Sequence, residues 1–83
     1  MPRYYFDILN GADGVYDDDG AEFDNSDAAV HAATRSAAEI GSGQLAKGDT
    51  RDVIIEVRDK RNQRVCTVTA SMKIDWHPAF RLR

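Results

Sequence analysis

The sequence predicts an α+β domain: a four-stranded, mostly antiparallel sheet with one helix packed on one face, in the order β-β-α-β-β. Three observations carry this. Residues 3–9 and 53–58 alternate side chains with the period of two that a strand requires, and are rich in aromatic and β-branched types. An alanine-rich stretch follows the capping candidates Asp24, Asn25, Ser26 and Asp27. Turn-forming residues separate the strand segments on either side of that stretch, so each pair reads as a hairpin.

The first strand runs from Arg3 to Leu9, with Tyr4, Phe6 and Ile8 facing the core and Tyr5, Asp7 and Leu9 on the other side. Residues 10–14 (Asn-Gly-Ala-Asp-Gly) supply positions tolerant of positive φ, and a short second strand is expected at Val15-Tyr16. Residues 17–22 are too acidic for a central strand and are expected to form a solvated turn, anchored by Phe23.

A helix should begin near Ser26, where nearby acids favour the positive end of its dipole. Ala29, Val30, Ala33, Ala37 and Ile40 fall on one face, and small alanines let a helix lie close to a sheet. Gly41-Ser42-Gly43 is the expected stop.

Val53, Ile55 and Val57 define the core side of the third strand, and Ile54, Glu56 and Arg58 alternate with them on the open face. Residues 59–63 then turn the chain, with Asn62 the candidate for a left-handed conformation. In the fourth strand Cys66, Val68, Ala70, Met72 and Ile74 share the core side. Val65, Thr67, Thr69, Ser71 and Lys73 share the other. Pro78 argues against a strand beyond it, so residues 1–75 read as one domain and 76–83 as a C-terminal tail.

With these residues placed, the chain resembles a family of short bacterial proteins, abundant in soil alphaproteobacteria, that is known only as a domain of unknown function. The resemblance rests on the opening Met1-Pro2-Arg3-Tyr4-Tyr5-Phe6-Asp7-Ile8, on Asp19-Gly20-Ala21-Glu22-Phe23, on Ala28-Ala29, and on Ile55-Glu56-Val57-Arg58-Asp59. The chain departs from it in having Asn62 where relatives often place glycine, and in its aromatic tail. The resemblance implies this fold and assigns no catalytic or binding residue.

Size and composition narrow the function further. A chain of 83 residues holds one modest core. Its 42% hydrophobic and 30% charged residues suit a globular protein, and no apolar run exceeds three residues, so a membrane span is not expected. Structure beginning at the second residue leaves no room for a targeting segment, and a single cysteine agrees with a reducing compartment, so the cytoplasm is the expected location. Cys66, within a strand pattern, reads as a small buried apolar residue.

Residues 1–27 hold eight acids and one base, whereas residues 51–83 hold eight bases and four acids. Such an asymmetry fits regions that lie near one another or are solvated separately, or else head-to-tail association or a charged partner.

No catalytic, metal or cofactor site is expected. Placing Gly20 at the glycine of a calcium loop puts Val15 first and Ser26 twelfth, so the spacing fails, although Asp17, Asp19 and Glu22 could together hold a hard cation weakly. His31 and His77 lie on different elements, and no nucleophile motif is present.

Two readings remain. The first is a non-enzymatic protein-interaction domain, homodimeric through the open sheet face or an edge strand, with Tyr5, Leu9, Ile54, Val65, Thr67 and Thr69 as the interaction residues. The second is a nucleic-acid-associated or antitoxin-like regulator using the basic hairpin residues Arg58, Lys60, Arg61 and Arg64, against which the pI near 5.2 weighs.

Overall fold

A computed structural model describes residues 1–11 and 13–81. Their elements, in chain order, are β1 (Arg3–Asn10), β2 (Asp13–Val15), β3 (Ala21–Glu22), α1 (Ser26–Ala46), β4 (Val53–Asp59), β5 (Arg64–Ala70) and α2 (Pro78–Arg81). Ala12 of the first loop and Leu82 and Arg83 of the tail lie outside the described residues.

Every ladder is antiparallel, and the sheet order is β2-β1-β4-β5. β4 pairs with β1 from Tyr4↔Asp59 to Asn10↔Val53. The other edge of β1 is shared: β2 pairs with Ile8 to Asn10, and the two-residue β3 pairs with Arg3 and Tyr4. The predicted α+β class stands, with β3 as an addition that the run of acids concealed.

Alternation places the core between the sheet and α1. Val53, Ile55 and Val57 are fully buried, and so are Ala29, Ala33 and Ala37, spaced one helical turn apart. Small side chains on the helix let it approach until the β-branched side chains of β4 are enclosed, each contributing roughly 1.5–3 kcal/mol of transfer free energy. Phe6 and Ile8 pack against this cluster with Cys66, Val68, Ala70 and Met72. Phe23 closes one end, stacking on Phe6 at 5.7 Å and lying 6.2 Å from Tyr4, while its N–H donates to the Pro2 carbonyl.

The helix starts where the capping residues indicate: Asn25 is the N-cap, and its side-chain oxygen accepts from the Ala28 N–H at 2.9 Å. It does not stop at Gly41 to Gly43. It continues to Ala46 and ends in a Schellman motif, in which Gly48 (φ 79°) donates to the Leu45 carbonyl and Asp49 donates to that of Gln44. Gly41 serves packing instead, since a Cβ there would lie 2.9 Å from Met72 Sδ.

The β4–β5 turn follows the prediction. Asn62 is left-handed (φ 66°), its N–H donates to the Asp59 carbonyl, and the Asp59 N–H donates to Gln63, which is a three-residue hairpin loop. β5 ends at Ala70, short of the expected Ile74. Ala70 is paired with Val53, the first residue of β4, so β4 offers no further partner. Beyond it the chain runs without turn or bend to the short α2. The principal extents are 57 × 22 × 16 Å and the radius of gyration is 15.8 Å, against about 12 Å for a compact chain of this length. A helix of 21 residues spans only about 31 Å.

Candidate functional site

The sheet face turned away from α1 has its side chains dictated by register. Tyr5 lies opposite Arg58, Asp7 opposite Glu56, and Leu9 opposite Ile54; Glu56 and Ile54 in turn face Thr67 and Thr69. These rows divide the face into a polar half and an apolar half.

Arg58 organises the polar half. Its Nε donates to Asp7 Oδ2 at 2.7 Å, and its Nη2 donates to Asp7 Oδ1 at 3.2 Å and to the Asp17 carbonyl at 2.8 Å. The guanidinium lies over the Tyr5 ring (4.8 Å) and the Tyr16 ring (4.2 Å), an arrangement that favours a delocalised cation. Only 12% of the Arg58 side chain and 17% of that of Asp7 are exposed, so the pair is screened little by solvent.

Asp17 fills the gap between β2 and β3 on the edge of β1. Its Oδ2 accepts the Phe6 N–H at 2.9 Å, and its Oδ1 accepts the N–H groups of Gly20 (2.9 Å) and Asp19 (3.2 Å). Its own N–H donates to Asp7 Oδ1 at 2.9 Å. A carboxylate thus replaces a strand where the chain turns back. Gly20 is left-handed (φ 68°), and a Cβ there would sit 2.8 Å from the Tyr4 carbonyl oxygen and from the Tyr5 ring.

Both acids are more acidic than usual. The hydrogen bond from Arg58 is the main cause for Asp7, opposed by burial and aided by the Asp17 N–H. Burial pushes Asp17 upward, but the N–H groups of Phe6, Gly20 and Asp19 together outweigh it. The expected solvated turn is therefore corrected at Asp17. Its oxygens are engaged by backbone donors, Glu22 pairs with Arg3 at 3.6 Å, and no cluster of three potential metal ligands occurs among the described residues.

A cavity of about 240 Å³ opens beside the clasp, lined by Asp7, Tyr16, Glu56, Arg58, Asn62 and Arg64. Glu56 Oε1 accepts from the Thr67 hydroxyl at 2.8 Å, and Arg64 Nε approaches Glu56 Oε2 at 4.0 Å. Asp7 is thus held by Arg58, whereas Glu56 Oε2 is buried and accepts no hydrogen bond among the described residues, with the exposed Arg64 only within ion-pair reach. Cys66 lies on the core side, whereas His31 and His77 are exposed on α1 and beyond β5.

The six interaction residues separate accordingly. Leu9 (45% exposed), Ile54 and Thr69 form one continuous row, and Thr67 stands next to it, engaged by Glu56. Tyr5 lies under Arg58 in the polar half, and Val65 sits at the irregularity where Arg58 pairs with Arg64. The basic hairpin is split. Arg58 is turned inward onto Asp7, Lys60 and Arg61 border a second cavity of about 270 Å³ with Arg3 and Asp59, and Arg64 is 83% exposed.

Sequence reasoning placed Asp7 and Arg58 on this face but missed Asp17 and Tyr16. The spacing of Asp17 and Gly20, an acid three residues before a glycine, is the signature of a side chain that caps its own turn.

No curated protein and no solved structure matches this chain. A family model described as a domain of unknown function matches residues 3–71, and thus spans the described strands and α1. The chain therefore belongs to that family, DUF6894.

Proposed function

We propose that this domain is a non-enzymatic protein-interaction module of the cytoplasm, acting through its β5 side. The outer edge of β5 carries the reading. The opposite edge, on β1, is covered by β2, β3 and the Asp17 carboxylate. β5 is seven residues long, contains no proline, and has no second ladder partner among the described residues. An edge of that kind is a template for strand addition, in which main-chain hydrogen bonds supply affinity and alternate side chains supply specificity. Next to it, the row of Leu9, Ile54 and Thr69 offers apolar surface, while the polar half is occupied by the chain's own Arg58 clasp. No helix among the described residues is long and apolar enough to cross a membrane.

The test is a photo-crosslinking amino acid placed at Thr69, compared with the same probe at His31 on the exposed face of α1, in the native host. Protein adducts at Thr69 and none at His31 are expected. Salt-sensitive binding of DNA or RNA at micromolar protein, with no protein adducts at Thr69, would replace this reading with the nucleic-acid one.

A further inference from the structure

We propose that residues 71–77 are a dimerisation arm whose partner is the same segment of a second copy, paired antiparallel about a two-fold axis at Ile74. This rests on the interaction reading above and extends it past the end of β5.

The arm keeps the period of a strand after its ladder has ended. Met72, Ile74 and Trp76 alternate with Lys73, Asp75 and His77, yet β5 stops at Ala70 because β4 begins at Val53. Lys73 Nζ lies 3.6 Å from Asp75 Oδ2, which places both on one side of the segment, with side chains 81% and 71% exposed. Ile74 and Trp76 are 41% and 59% exposed. Met72, at the start of the segment, packs on the core, and from Lys73 onward the segment is exposed. An exposed period-two segment with an apolar side and a charged side is the pattern of a strand whose neighbour comes from another molecule.

The segment is complementary to itself in one register. With Ile74 opposite Ile74, Met72 faces Trp76 and Ser71 faces His77. Lys73 of each copy then faces Asp75 of the other, so two opposite-charge pairs form by symmetry. Moving the axis one residue toward the N-terminus sets Lys73 against Lys73, and one residue toward the C-terminus sets Asp75 against Asp75. Like charges thus reject both neighbouring registers. The bounds agree with this axis: the seven residues between Ala70, the end of β5, and Pro78, the start of α2, are centred on Ile74. Proline cannot donate to a ladder and so ends the ribbon.

A two-stranded ribbon of this length is weak alone, so the dimer forms only at high concentration. Phe80, 65% exposed, is carried past the axis towards the body of the other copy and adds apolar contact.

Sedimentation equilibrium of the full chain tests this. The expected mass at high concentration is twice 9.2 kDa. Lys73→Asp and Asp75→Lys should each weaken dimerisation about tenfold, by placing like charges opposite one another twice, and the double reversal should restore it. Both positions are exposed, so unchanged circular dichroism is expected of all variants. A wild-type monomer at millimolar concentration, or a dimer indifferent to the single reversals, would overturn the proposal. If the chain is monomeric but Thr69 still crosslinks to another protein, only the arm is lost. If neither occurs, the interaction reading falls with it.

Discussion

Arg58 and Asp7, separated by 51 residues in the chain, are joined by a 2.7 Å bond between Nε and Oδ2 across adjacent strands. Because Asp7 also accepts the Asp17 N–H, this one contact ties β1, β4 and the loop before β3 together. Removing the acid leaves a mostly buried guanidinium without its counter-charge. Asp7→Ala should therefore lower the unfolding free energy by about 2 kcal/mol in urea titration. Arg64→Ala, at a side chain 83% exposed, should leave the midpoint unchanged.

Acid should unfold the domain through the same cluster. Asp7 and Asp17 have lowered pKa values in the folded protein, so the unfolded chain takes up protons first as the pH falls. Their stabilisation is complete above the ordinary carboxylate value of about 4, and is lost progressively below it, down through their lowered folded values. Unfolding free energies measured between pH 7 and pH 2 should show this loss, and Asp7→Asn combined with Asp17→Asn should flatten the profile.

Two glycines of α1 should respond oppositely to substitution. A side chain at Gly41 meets Met72 Sδ at 2.9 Å and Ala70 Cβ at 3.4 Å, whereas nothing lies within 4 Å of a Cβ at Gly43. Gly41→Leu should cost about 1–3 kcal/mol by overpacking. Gly43→Ala should stabilise by about 0.5–1 kcal/mol through helix propensity. Thermal and urea unfolding of the pair would check both signs.

Asn62 holds a left-handed conformation with φ 66°. Asn62→Gly should raise stability by a few tenths of a kcal/mol, since glycine carries no Cβ penalty there, while Asn62→Val should lower it by about 1–2 kcal/mol. Denaturant midpoints of the two variants decide this.

What the sequence disclosed followed from short-range rules. Alternation placed Val53, Ile55 and Val57 under the helix and Arg58 on the far side beside Tyr5, and Asn62 was identified by its tolerance of positive φ. What it concealed depended on distant partners. Asp17 reads as one of three consecutive acids in a solvated turn, yet its carboxylate accepts from Phe6, eleven residues earlier. Gly41 reads as a helix stop because its packing partner, Met72, is supplied by a segment beyond β5. The fourth strand looked longer than β5 because period two persists through Ile74, while β4 supplies no residue to pair beyond Ala70. Arg58 counted as part of a basic ribbon by its neighbours in sequence, although its own alternation already turned it towards Asp7.

The β5 side as interaction surface is tested most directly by amide hydrogen exchange on the purified chain at low and high concentration. Added protection confined to residues 71–77, with β1 and α1 unchanged, is the expected result. Equal exchange of residues 71–77 at both concentrations, or added protection around Tyr5 instead, would remove the dimerisation arm and, together with the absence of protein adducts at Thr69, would contradict the account.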